Sequence, residues 1–116
     1  MTEKSNLIIK IIKVIDDYKV VINKGSLDGI KYGQSFLIYK EDEELFDPDT
    51  KESLGFLEIV KGKGKIVHLQ PKISTIESTS KKIIKTNRGI MFGGTVVTEE
   101  DLPFDNVEVN DLVKPI

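Results

Sequence analysis

Three glycines four residues apart, Gly25, Gly29 and Gly33, punctuate the stretch Asn23-Lys24-Gly25-Ser26-Leu27-Asp28-Gly29-Ile30-Lys31-Tyr32-Gly33-Gln34. Glycine reaches positive φ without steric cost, and the surrounding Asn, Ser and Asp favour turns. No long helix or strand continues through such a segment. It is expected to hold two successive turns, with Leu27 and Ile30 tucked inward and Ser26 capping a single helical turn. The flanking residues alternate. Tyr18, Val20 and Ile22 share one face before the turns, and Phe36 and Ile38 share one face after them, opposite Leu37 and Tyr39. Alternation of this kind is the period of a half-buried strand.

The same reading extends along the chain. Leu7 to Ile15 fits helical and strand spacing about equally, and its five isoleucines in nine residues decide for a strand. Asp16-Asp17 then turns it into the Tyr18 strand as a hairpin. Glu41 to Ser53 is acidic and ends in Asp47-Pro48-Asp49-Thr50, which predicts an exposed hairpin loop or extension. Leu54 to Val60 reads as a strand turned by Lys61-Gly62-Lys63-Gly64. Lys65 to Gln70 follows, Pro71 closes it, and Ile73 to Ser78 gives a further short strand. Residues 81–104 show no clean period and are expected to form a loop or β-arm, with Thr95 to Thr98 as a possible strand. Val107 to Lys114 resembles a turn into a closing strand. Six or seven short, mainly antiparallel strands separated by Gly and Pro turns predict an all-β barrel or sandwich.

Composition agrees. The 116 residues include sixteen isoleucines, ten valines and seven threonines, and no alanine. Part of that bias has a genomic reading, since sixteen lysines to one arginine is what an AT-rich genome favours. The length is that of a single domain. With no cysteine, disulfides, thiolate metal sites and cysteine nucleophiles are excluded. The apolar run near the N-terminus is interrupted by Lys10 and Lys13, too short and too charged for a signal h-region or a membrane span. A cytoplasmic protein with no membrane insertion is therefore expected.

The succession YKVVINKGSLDGIKYGQSFLIYKE, DPDTKESLGFLEIV and GKGKIVHLQPKISTIES resembles the C-terminal domain of the flagellar assembly protein FlgT. Gly25, Ser26, Asp28, Gly29 and Gly33 match that domain's glycine-turn element. Asp47, Thr50, Leu54 and Gly55 match its hairpin element, with Lys51 where the pattern has glycine and Gln34 where an acidic residue is common. A similar GS-x-DG-x-x-G turn occurs in the β-domain of the rod-shape protein MreC. The resemblance covers Tyr18 to Ser78 and implies a small barrel with an assembly or interaction role. In both readings Gly25, Ser26, Asp28, Gly29, Gly33, Asp47, Thr50 and Gly55 are turn positions.

Catalytic chemistry finds little support. The glycines lack the spacing of a P-loop or a dinucleotide fold. Asp47, Asp49 and Glu58 stand at positions one, three and twelve of a calcium loop, but Lys51 occupies position five and Glu52 the position of the required glycine. His68, the one histidine, has no recognisable nucleophile pattern beside it and reads as a surface strand residue. No cofactor or metal is expected. The remaining reading is a non-enzymatic interaction or assembly module whose protein partner the sequence does not name; open strand edges also allow a homo-oligomer. The candidate partner surface is Arg88, Met91, Phe92, Leu102 and Phe104, unless these cover one barrel end. The alternative is a nucleic-acid-binding barrel that contacts phosphates through Lys61, Lys63 and Lys65 together with Lys81, Lys82, Lys85 and Arg88. The formal net charge of -2 weighs against it.

Overall fold

The computed structural model describes residues 8–87 and 95–116. Eight strands appear among them: β1 (Ile9–Asp16), β2 (Lys19–Ile22), β3 (Ser35–Phe46), β4 (Ser53–Leu69), β5 (Ser74–Ser78), β6 (Lys81–Asn87), β7 (Thr95–Asp101) and β8 (Leu112–Pro115). Six of them close a barrel in the order β1-β2-β5-β4-β3-β8, and β6 and β7 form a separate two-stranded ribbon. Every neighbouring pair is antiparallel. The described residues contain no α-helix, so no helix is long and apolar enough to cross a membrane.

Alternation fills the barrel as a small barrel must be filled, with side chains. Ile11, Val20, Ile22, Phe36, Ile38, Ile66 and Ile76 have no exposed surface and form the core with Ile30, Phe104 and Val113. The glycine stretch is built as its residues dictate, with one exchange of roles. A single 3-10 turn spans Ser26–Asp28, and Asp28, not Ser26, caps it: the Gly25 N–H donates to Asp28 Oδ2 at 2.9 Å. A Cβ on Gly25 would collide with the backbone of Gln70 and Pro71. The turn lies against that backbone, to which Ser26 and Leu27 donate their N–H groups. Ile30 is buried as expected, but Leu27 is exposed, because the short turn gives it no neighbour to pack on.

Two expected boundaries move. Of the loop or extension expected at Glu41 to Ser53, residues 41–46 take the extension by continuing β3, and only 47–52 make the turn. Carboxylates cost nothing on a ribbon wet on both faces, and the strand keeps its backbone pairing. Lys61-Gly62-Lys63-Gly64 is no turn at all, since β4 runs through it unbroken for 17 residues. The glycines are there for room. A Cβ on Gly62 would sit 2.7 Å from Phe104 Cδ1, and one on Gly64 would meet the Ile76 side chain and lie 2.6 Å from the Glu77 carbonyl. Close approach across a small barrel is a second meaning of strand glycine. Within 81–104, expected to form a loop or β-arm, residues 81–87 and 95–101 pair regularly as β6 and β7, with Thr95 to Thr98 inside β7 as expected.

The molecule is far from spherical. Its radius of gyration is 18.7 Å, against about 13 Å for a compact chain of this length. The excess comes from two ribbons that leave the barrel: the outer half of the β3–β4 hairpin, and β6–β7.

Candidate protein-interaction arm

The β3–β4 arm begins where β8 stops. β8 pairs with β3 as far as Tyr39↔Leu112, and beyond that point, among the described residues, β3 and β4 pair only with each other, from Lys40↔Ile59 out to Phe46↔Ser53. A clasp marks the root. Lys114 of β8 donates to Glu58 Oε1 of β4 at 2.8 Å, with its ammonium 4.8 Å from the centre of the Tyr39 ring. The bond to Glu58 raises the Lys114 pKa, with desolvation opposing. Burial, reinforced by the Glu58 carboxylate, pushes the Tyr39 phenol up.

The tip is held by one carboxylate. Asp47 Oδ1 accepts the N–H groups of Asp49 at 2.7 Å and Thr50 at 3.0 Å. These donors hold the Asp47 carboxyl below the usual carboxylate range, Thr50 contributing most. Asp47 and Thr50 are therefore turn residues as expected, Thr50 Oγ1 also accepting the Glu52 N–H. Lys51 takes a φ of 66°, the left-handed conformation that explains a glycine at that place in the resembling pattern.

Between root and tip the ribbon is apolar on both faces. Register places Val60 and Phe56 with Tyr39 on one face, and Ile59, Leu57 and Leu45 on the other. Leu54 is the extra residue of a bulge, beside Gly55, which at a φ of 99° lies in β4 and not in the expected turn. Leu45, Phe46, Leu54, Phe56, Leu57, Ile59 and Val60 are all exposed, Leu54 at 68% and Phe46 at 55%. Such a cluster exceeds the scattered exposure normal for a surface. The arm is also strongly acidic. Residues 40–60 hold two lysines against eight carboxylates, a net -6 in a chain of net -2, which leaves +4 on the rest.

The residues singled out from sequence fare unevenly. Phe104 is no part of an exposed patch: it is 4% exposed, packs over Gly62, and its N–H donates to the Asp17 carbonyl at 2.8 Å. It closes one end of the barrel. Leu102 is half-buried at the junction, its N–H donating to the Ser80 carbonyl and its carbonyl accepting from Ser78 Oγ. Arg88, Met91 and Phe92 lie outside the described residues. Of the two readings open for Phe104 in the sequence, partner surface or cover of a barrel end, the structure has the second, because residues 102–111 pack back on the barrel through turns.

Lys61 is likewise no phosphate contact. A register shift between Ile38 and Tyr39 leaves Lys61 as the extra residue of a bulge, a device that re-aims a side chain. It is 7% exposed, and its Nζ donates to Asp111 Oδ2 at 2.9 Å and to the Asn106 carbonyl at 3.0 Å. Asp111 Oδ2 in turn accepts the Glu108 N–H at 2.7 Å. Lys63, Lys65 and Lys82 are exposed. Lys81 is bonded to Asp101, which raises its pKa. Register sets Lys82 opposite Glu100, and it pairs the backbone of Lys85 with that of Val97. Two of these lysines, Lys65 and Lys81, line with Lys19 an open cleft of about 820 Å³ between the barrel and the β6–β7 ribbon, together with Asp16, Glu77, Glu100 and Asp101. Both signs are present in near balance. His68 is exposed on β4 opposite Thr75, and among the described residues no three His, Cys, Asp or Glu are grouped to hold a metal.

Of the hairpin loop or extension expected for Glu41 to Ser53, the structure has the extension, though its apolar faces do not follow from the acidic run. The signal present was Phe46 and Leu54-Gly55-Phe56-Leu57, an apolar run on both sides of a turn. No family model, no curated protein and no solved structure matches the chain. What stands of the resemblance to the FlgT domain is the architecture, a six-stranded antiparallel β-barrel.

Proposed function

We infer that this chain is a non-enzymatic interaction or assembly module, in which a rigid barrel holds out the β3–β4 arm as its binding element. One observation carries the reading: seven large apolar side chains exposed on both faces of a projecting ribbon. A two-stranded ribbon alone in water is marginally stable, and apolar surface of this extent is what partner sites present. The partner surface thus moves from residues 88–104 to residues 40–60. Phosphate binding has less support, because Lys61 is held by Asp111, Lys81 by Asp101, and the arm is acidic.

The test is excision of the arm. Register allows Asp42 to Leu57 to be replaced by Asn-Gly, joining Glu41 to Glu58 by a two-residue hairpin turn. Tagged full-length and excised chains are each offered a cell lysate and an untagged copy of the full chain. Proteins retained by the full chain and lost by the excised one support the reading. Equal capture by both overturns it.

A further inference from the structure

The arm has two open backbone edges, and they are chemically unlike. On the β3 side, β8 reaches only Tyr39, which among the described residues leaves Lys40 to Phe46 without a strand neighbour beyond β4. On the β4 side, pairing with β5 begins only at Gly64, which among the described residues leaves Ser53 to Val60 without a strand neighbour beyond β3. The β3 edge carries Glu41-Asp42-Glu43-Glu44 and a register shift between Glu41 and Glu44. Runs of charge and bulges are the two devices that blunt an edge against strand addition. The β4 edge has bulges of its own at Leu54, beside Gly55 with a φ of 99°, and at Lys61, but between them Phe56 to Val60 carries neither a bulge nor a run of charge. Its one charge is Glu58, it has no proline, and Phe56, Leu57, Ile59 and Val60 favour the strand conformation.

We propose that two copies of this chain pair antiparallel along the β4 edges of their arms, forming a four-stranded ribbon in the order β3–β4–β4–β3. This rests on the arm being the interaction element and names a second copy as what it binds. Charge selects this arrangement. Pairing through β3 would set two runs of four carboxylates side by side, whereas pairing through β4 carries them to the two outer edges. The same segment is used by both copies, so the contact is two-fold and closes on itself. The acidic outer edges then stop a third copy from adding. Phe56, Leu57, Ile59 and Val60 of each copy gain cross-strand neighbours of their own kind.

The chain has no cysteine, so single cysteines report the contact cleanly. Phe56→Cys, Leu57→Cys and Ile59→Cys are made on β4, with Asp42→Cys and Glu43→Cys on β3, and each is oxidised mildly. Sedimentation equilibrium of the unmodified chain is expected to give twice its 13.0 kDa mass at high micromolar concentration. A disulfide-linked dimer is expected from at least one β4 position, the one nearest the two-fold axis, and from neither β3 position. The double variant Leu57→Lys, Ile59→Lys is expected to sediment as a monomer with unchanged circular dichroism. A chain that stays at 13.0 kDa at every concentration overturns the proposal, as does a dimer cross-linked through Asp42→Cys or Glu43→Cys. A monomer that still captures another protein through its arm overturns self-pairing alone; loss of both behaviours overturns the binding reading with it.

Discussion

Lys61 and Asp111 sit fifty residues apart and meet inside the protein, each less than a tenth exposed. A buried pair of this kind is worth little against an apolar replacement, but removing one member strands the other charge. Asp111→Ala is therefore expected to cost about 3–5 kcal/mol in urea unfolding, and the double variant Lys61→Met, Asp111→Leu to recover most of it. A loss under about 1 kcal/mol for the single variant would mean that water reaches the pair. Gly64 is the opposite case, a place where an absence is structural. Gly64→Ala puts a methyl against Ile76 and the Glu77 backbone, and about 1–3 kcal/mol of destabilisation is expected from the overpacking, read from the urea midpoint. An unchanged midpoint would refute the close approach. Asp47 gives a pH dependence. Its carboxyl is lowered by the Thr50 and Asp49 N–H groups, so its contribution to the turn is full above the unfolded value of about 3.9 and is lost as pH falls through the lower folded value. Side-chain carbon NMR should place its midpoint below the ordinary range, with the Asp49 and Thr50 amides shifting at the same pH. A midpoint at or above the ordinary value would contradict the bonded turn.

At the scale of elements, β3 and β4 each do two jobs. Their inner halves are barrel staves, with Phe36 and Ile38 in the core and Gly62 and Gly64 making room opposite them. Their outer halves have no core to face. The change falls at the Lys61 bulge, where the register shifts and β8 ends. The outer halves contribute nothing to the core, so the Asn-Gly excision of Asp42 to Leu57 should leave a barrel that melts cooperatively within a few degrees of the full chain. Loss of the cooperative transition would show that the arm takes part in the barrel's stability. The Lys114–Glu58 bridge survives in that variant; it is solvent-exposed on both sides and should matter to the arm's angle more than to the melting temperature.

For the whole molecule, the division of charge and of apolar surface matters more than the totals. A net charge of -2 conceals an arm of -6 on a body of +4, and a modest hydrophobic content conceals apolar side chains gathered away from the core. The sequence by itself determined the class, because alternation and turn chemistry are local: Val20 and Ile22, Phe36 and Ile38, the turns at 25–33 and at Asp47 all follow from near neighbours. Tertiary structure decided which apolar residues are core. Phe56 and Phe104 look alike along the chain, yet Phe104 closes a barrel end and Phe56 faces solvent, since burial depends on what the fold brings opposite. The same holds for Gly62, where the local signal of a turn yields to a Phe104 ring that only the closed barrel places there. It holds too for Lys61, whose charge is spent on a partner fifty residues away.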